Sequence, residues 1–248
     1  MLPIIVEFTG LPGAGKTTIA RAVISALTTK GYECFPPETL SNRVTVEQKG
    51  LRQLLAKLEV LYHLIFCLVK YHCIVPNALR YALQVTPSNL AGLRRVLMLV
   101  TRLELIGTVV NDGHDFLVFD EGLVQNIWSI AITGNPPPDE YLLRLLKDLL
   151  GDRMLTIILV DVDIDVAVKR MEKRSSKHSR FDRMSPIKAR ELLSKHKKDL
   201  EHISNCAVAL KKADYLKVEG SRPIEDNVYA VVHFADRLWR VQKGLDSL

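Results

Sequence analysis

At 248 residues the chain is long enough to bury a substantial core, as one α/β domain or two small ones. Hydrophobic residues at 48% and charged residues at 25% exclude global disorder. A formal charge of +6 favours an anionic partner, without choosing among nucleotides, nucleic acids and acidic membranes.

Met1–Phe8 reads as a short, continuously apolar strand of the kind covered on both faces. A glycine-rich turn follows, then a helix from about Lys16 to Lys30 that stops at Gly31. Tyr32–Phe35 is a second strand, ended by Pro36 and Pro37. From about Val46 to Gly107, leucine and valine recur at helical spacing, with breaks near Pro76 and at Thr86–Asn89, where Ser88 is a candidate cap. Phe116–Phe119 is a third, buried strand. Helices are expected over Gly122–Thr133 and Asp139–Leu150, separated by the loop "GNPPP". Met154–Val162 is a fourth strand, Ile164–Lys173 opens a helix that runs into a basic segment, and Ser185 with Pro186 starts another. Ala213–Gly220 is a weaker fifth strand, and a closing helix starts near Ile224. Strands alternating with helices, with no internal repeat or long linker, predict a single domain over residues 1–248 built on a doubly covered parallel sheet.

Cys34, Cys67, Cys73 and Cys206 show no C-x-x-C spacing, and free thiols in a reducing compartment are expected. His63 and Cys67, with His72 and Cys73 close behind, offer ligand types for a metal, but no tetrahedral set is spaced for closure. The most apolar run, Val60–Val69, is far shorter than the ~20 residues of a membrane span. A strand begins almost at Met1, so no signal or transit peptide is expected and the chain reads as cytoplasmic.

"GLPGAGKTT", Gly10–Thr18, fits G-x-x-x-x-G-K-[ST] in full, after a predicted strand and opening a predicted helix. Gly10, Gly13 and Gly15 let the backbone approach phosphate oxygens, and the amides around Ala14 converge on them at the helix N-terminus. In this motif Lys16 reaches the β- and γ-phosphates, the Thr17 hydroxyl ligates Mg²⁺, and Thr18 adds a further hydroxyl. ATP and Mg²⁺ are the expected cofactors. Asp120 ends a buried strand, where P-loop proteins place the acid that serves magnesium; Glu121 follows it directly. Asp165–Ser185 carries Arg170, Arg174, Arg180 and Arg183 among lysines and serines. Guanidiniums of this kind can stabilise the charge that spreads over the oxygens of a transferring phosphoryl group. Val218–Asp226, "VEGSRPIED", follows the last strand, where a loop can pack on an adenine.

In the P-loop, the strand-end acid, the "R-x-x-x-R … R-F-D-R" segment and the "V-E-G-S-R-P-I-E" segment, the chain resembles the thymidylate kinase and deoxynucleoside kinase branch of the P-loop kinases over its whole length. The resemblance implies a five-stranded parallel sheet in the order 2-3-1-4-5, a helical acceptor side over about 46–107 and a lid over about 170–185. It also implies that Asp120 contacts magnesium or the acceptor hydroxyl, and that Arg170, Arg174 and Arg180 clasp phosphates. Two departures stand out. Glu121 occupies the place where thymidylate kinases carry the arginine of Asp-Arg, and deoxynucleoside kinases that of Glu-Arg-Ser. Glu38 in "PPET" is preceded rather than followed by proline. An extra carboxylate repels a monophosphate and suits an uncharged hydroxyl that needs a general base.

The acceptor side offers Arg52, Arg94, Arg95 and Arg102, with Tyr62, Tyr71 and Tyr81 as stacking candidates, while Lys195, Lys197 and Lys198 read as a solvated face. The leading reading is an ATP-dependent kinase of a nucleoside, nucleotide or similar metabolite, and a homodimer is left open. The alternatives are a nucleic-acid-associated P-loop protein such as a polynucleotide 5′-kinase, and a nucleotide-binding regulator without transferase activity. Whether Asp120 or Glu121 takes the proton is open at this point.

Overall fold

A computed structural model of the chain describes residues 2–35, 65–66, 68–85, 90–110, 112–136, 138–151, 153–174 and 180–245. Five parallel strands form one sheet: β1 (Ile4–Gly10), β2 (Cys34–Phe35), β3 (Phe116–Phe119), β4 (Leu155–Asp161) and β5 (Ala213–Glu219), in the spatial order β2-β3-β1-β4-β5. This is the expected 2-3-1-4-5 order, and the fold is that of P-loop NTPases. Every residue of β1 and β3 is buried, as both-face coverage demands, whereas edge strand β5 is only partly covered. Register is set by β1, which pairs Val6 with Val118 of β3 on one side and with Thr156 of β4 on the other.

The helices are α1 (Lys16–Thr29), α2 (Val75–Val85), α3 (Leu90–Val109), α4 (Leu123–Ala131), α5 (Asp139–Leu150), α6 (Ile164–Glu172), α7 (Pro186–Ala209) and α8 (Ile224–Gln242). Helices α1 and α8 cover one face of the sheet and α4 and α7 the other, with α2, α3 and α5 packed outside α4 and α7. Local chemistry explains several starts. Pro76 falls in the first turn of α2, where its missing N–H is harmless. The Asp163 carboxylate caps α6 by accepting from the Asp165 amide at 2.8 Å. Ser185 caps α7 by accepting from the Lys188 amide, with Pro186 next to it.

Two expectations need correction. β1 is not continuously apolar, since Glu7 sits in its middle and is fully buried. Lys197 is not merely solvated: its ammonium bonds Asp161 at 2.7 Å and the Val162 carbonyl at 3.0 Å, tying α7 to the end of β4. Tyr71 and Tyr81, two of the stacking candidates, are buried in the core. Glu38, Arg52, Tyr62, His63, Cys67 and Ser88 lie outside the described residues, as do the side chains of Arg94 and Asp182. Cys34, Cys73 and Cys206 are free thiols. Among the described residues no helix is long and apolar enough to cross a membrane.

Candidate active site

The C-terminal ends of β1 and β3 lie side by side in the sheet, so the loops that leave them share one edge. From β1 comes the phosphate loop. It turns tightly, the Ala14 amide donating to the Leu11 carbonyl at 3.0 Å, and delivers Lys16 to the first turn of α1. Gly13 has φ +88°, and a Cβ there would stand 2.4 Å from the Ala167 carbonyl oxygen of α6. Only glycine fits both the angle and the gap. Ala14 is buried, while Thr17 and Thr18 face outward.

The Lys16 ammonium is buried and donates to the carbonyls of Gly10 at 3.0 Å and Leu11 at 3.2 Å. Burial pushes it below the ordinary lysine range, the charges of Glu121 and Asp120 hold it up, and that of Arg174 adds to the lowering. Glu121, Asp120 and Arg174 are therefore electrostatic neighbours of Lys16. The Thr17 hydroxyl donates to the Asp120 carboxylate at 2.9 Å. A hydroxyl and a carboxylate paired at a phosphate loop make an all-oxygen donor set of the kind Mg²⁺ selects, so the residues fit the ion.

Behind this front lies a buried network that sequence reading missed. The two carboxylate oxygens of Glu7 accept from the amides of Val124 at 3.1 Å and Gln125 at 2.8 Å, in the first turn of α4. The amide oxygen of Gln125 in turn accepts from the Thr9 hydroxyl at 3.1 Å and the Gly10 amide at 3.0 Å. Glu7 thus sets the start of α4, and with it the Asp120–Glu121 corner; Gln125 holds the entrance to the phosphate loop. Gly122 completes the fit, because a Cβ there would meet the Glu7 carboxyl at 2.4 Å. The available signal was a lone acid in the apolar run "IIVEFTG".

Burial pushes the Glu7 carboxyl up to about 7, and the amides of α4 pull it the other way. A carboxyl whose folded value lies above its unfolded value of 4.5 holds its proton longer in the native state. Stability is therefore highest below the unfolded value and falls as pH rises through the folded one, by about 3 kcal/mol in all. Urea unfolding at about pH 5 and about pH 8 should show this loss in the parent and a flatter dependence in Glu7→Gln. Equal slopes in the two proteins would remove Glu7 as the source.

The three arginines expected to clasp phosphates occupy different places. Arg170 donates to the carbonyls of Ala14 at 3.3 Å and Gly220 at 3.0 Å, so it stitches α6, the phosphate loop and the segment after β5. Gly220 lies close, a Cβ there falling 2.7 Å from the Ala14 carbonyl oxygen. Arg174 stands near Lys16. Arg180 reaches α4 instead, donating to the Ser129 carbonyl at 3.3 Å, while Arg95 of α3 donates to the Ser129 hydroxyl. Burial, and then the neighbouring Arg95 charge, pushes the Arg180 guanidinium down to about 9. The following Phe181 is buried and stacks on Trp128, ring centroids 6.5 Å apart, anchoring this stretch to α4.

The profile of the ATPase family associated with various cellular activities (AAA) matches residues 6–87, the part that holds the phosphate loop. Among curated proteins none matches the chain. Two solved structures of deoxyadenosine kinase from M. mycoides are similar in fold. One, with the products dCMP and a flexible dCDP bound, has a TM-score of 0.52 at 15% identity and covers 95% of this chain and 100% of its own. The other, with dATP bound, has a TM-score of 0.52 at 14% identity, covering 94% and 99%.

Proposed function

We propose that the chain is an ATP-dependent phosphotransferase that moves the γ-phosphate of ATP to a small-molecule acceptor of nucleoside or nucleotide type. The observation that carries this reading is the joining of Lys16, Thr17, Asp120 and Glu121 at one sheet edge, by hydrogen bond and by charge. A hydrolase needs only a placed water; a strand-end pair of carboxylates opposite a phosphate-loop lysine also provides a base for an incoming hydroxyl. Lys16 and the amides of Gly13–Thr18 bind and orient the phosphates, and Arg174 stabilises the charge that develops on them. Thr17 and Asp120 would hold Mg²⁺, which supplies charge neutralisation at the phosphates when bound. Arg170 acts as a positioning residue through the two carbonyls it joins.

The acceptor side favours a ligand with two different ends. At the near end Glu121 replaces a phosphate-gripping arginine and suits a hydroxyl. At the far end the guanidiniums of Arg95 and Arg180 meet on Ser129, where they suit carbonyl or phosphate oxygens. From Leu123, next to the Glu121 corner, to Ser129 is six steps of α4, roughly 9 Å at 1.5 Å per residue, a span suited to a nucleoside or nucleotide. Fold similarity to two deoxyadenosine kinases supports the same class.

The test is Mg²⁺-dependent transfer from labelled ATP across a panel of nucleosides, nucleotides and sugars. Consumption should rise strongly with one class. Glu121→Gln should keep nucleotide binding but slow transfer by about a hundredfold or more if Glu121 is the base. Equal rates would pass that role to Asp120. Acceptor-independent hydrolysis throughout, with salt-sensitive binding to single-stranded DNA, would favour the nucleic-acid reading instead.

A further inference from the structure

Away from the phosphate loop, α7 carries Asp199, His202 and Cys206 at spacings of three and four, which places all three on one helical face. That face meets the first residue of α5, Asp139. The His202 Nε2 lies 2.7 Å from Asp139 Oδ1 and 3.7 Å from Cys206 Sγ, and one ligand atom from each of the three lies within 4.8 Å of the other two. Beside them opens a cavity of about 180 Å³ lined by Tyr81, Pro136, Asp139, Asp199 and His202. The cysteine is buried, while Asp139 and His202 are exposed, so the cluster has a floor and an open mouth.

We propose that Asp139, His202 and Cys206 form a binding site for a thiophilic divalent cation, with Zn²⁺ the best fit. Zinc bonds of ~2.3 Å to sulfur and ~2.0 Å to nitrogen at tetrahedral angles put the two donor atoms ~3.6 Å apart, close to the separation seen here. The Asp139–His202 contact is at present a hydrogen bond and opens by about half an ångström to admit the ion. A thiolate, an imidazole and one carboxylate discriminate against Mg²⁺ and Ca²⁺, which take oxygen ligands, so the site does not duplicate the Thr17–Asp120 pair. On binding, the Cys206 thiol gives its proton to solvent, the neutral imidazole donates through Nε2, and the carboxylate enters ionised. The fourth position faces the cavity and takes a water, with Asp199 on the same wall, where it accepts a hydrogen bond from His196 Nδ1 at 2.7 Å. The ion would tie α5 to α7, two helices that meet on the acceptor side of the sheet.

The full chain, stripped with chelator and kept free of nucleotide, is titrated with Co²⁺. One equivalent should produce a thiolate-to-cobalt charge-transfer band in the near ultraviolet together with visible bands of tetrahedral intensity, and Zn²⁺ should bleach both. Cys206→Ser should remove the charge-transfer band. Because Cys206 is buried, the exposed position supplies a second variant: His202→Gln should weaken Zn²⁺ binding by more than about a hundredfold with an unchanged circular dichroism spectrum. A parent without the charge-transfer band at one equivalent, or a band that survives Cys206→Ser, overturns the site. Neither readout involves phosphate transfer, so the result is independent of the kinase reading.

Discussion

Replacing Lys16 by methionine should lower phosphate transfer by at least about a thousandfold while the chain stays folded. The methionine stem fills most of the volume of the lysine, so packing at the start of α1 survives. What is lost is a buried ammonium held by the Gly10 and Leu11 carbonyls, with Asp120 and Glu121 nearby. Leaving the two carbonyls without that donor costs about 1–3 kcal/mol, and release of a buried charge offsets part of it. The catalytic loss has no such offset, because the charge that would contact the phosphates is gone. Single-turnover transfer and a thermal midpoint on the same preparation separate the two effects. A variant that transfers within tenfold of the parent would take Lys16 out of the chemistry.

Gly13→Ala should damage the fold itself. The residue combines a left-handed φ of +88° with a helix carbonyl 2.4 Å from where the new Cβ must go. The angle alone costs on the order of 1–2 kcal/mol. Relief of the clash then requires α6 to move away from the phosphate loop, and α6 carries Arg170, whose two carbonyl contacts hold Ala14 and Gly220 together. A loss of about 3 kcal/mol or more is expected, a fall of roughly 6–12 °C in midpoint for a chain of this size. Weakened ATP binding should accompany it. A midpoint within one or two degrees of the parent would show that the loop and α6 can separate freely.

The parts of the site that were legible in the sequence are those whose chemistry is local. The phosphate loop depends on consecutive residues, so Gly10–Thr18 could be read directly. The sheet order followed once the loop and the later segments were recognised as one pattern. Asp120 could be placed at the end of β3 because that strand is a clear apolar run. Contacts between distant segments could not be read in the same way. Glu7 and the first turn of α4 are more than a hundred residues apart, and nothing in "IIVEFTG" says which amides its acid will meet. Periodicity also could not distribute the arginines: Arg170, Arg174 and Arg180 lie within eleven residues yet serve backbone carbonyls, the Lys16 neighbourhood and Ser129 respectively. The cluster on α7 did leave a trace, a histidine and a cysteine four apart, but its third member comes from another helix.

The central place of β1 also bears on how the molecule is made. It pairs from Ile4 with Phe116 on one side and from Ile5 with Leu155 on the other. At ribosomal speeds of about 5–20 residues per second, its second partner follows roughly eight to thirty seconds after it. Until then a strand of high β-propensity has at least one hydrogen-bonding edge open to other chains, a hazard for self-association. Glu7 is the one charge in that strand, and in the nascent chain it is ionised and repels its own copies. The side chain that later fixes α4 from within first serves as a gatekeeper, and near neutral pH its burial draws a proton from solvent as the sheet closes.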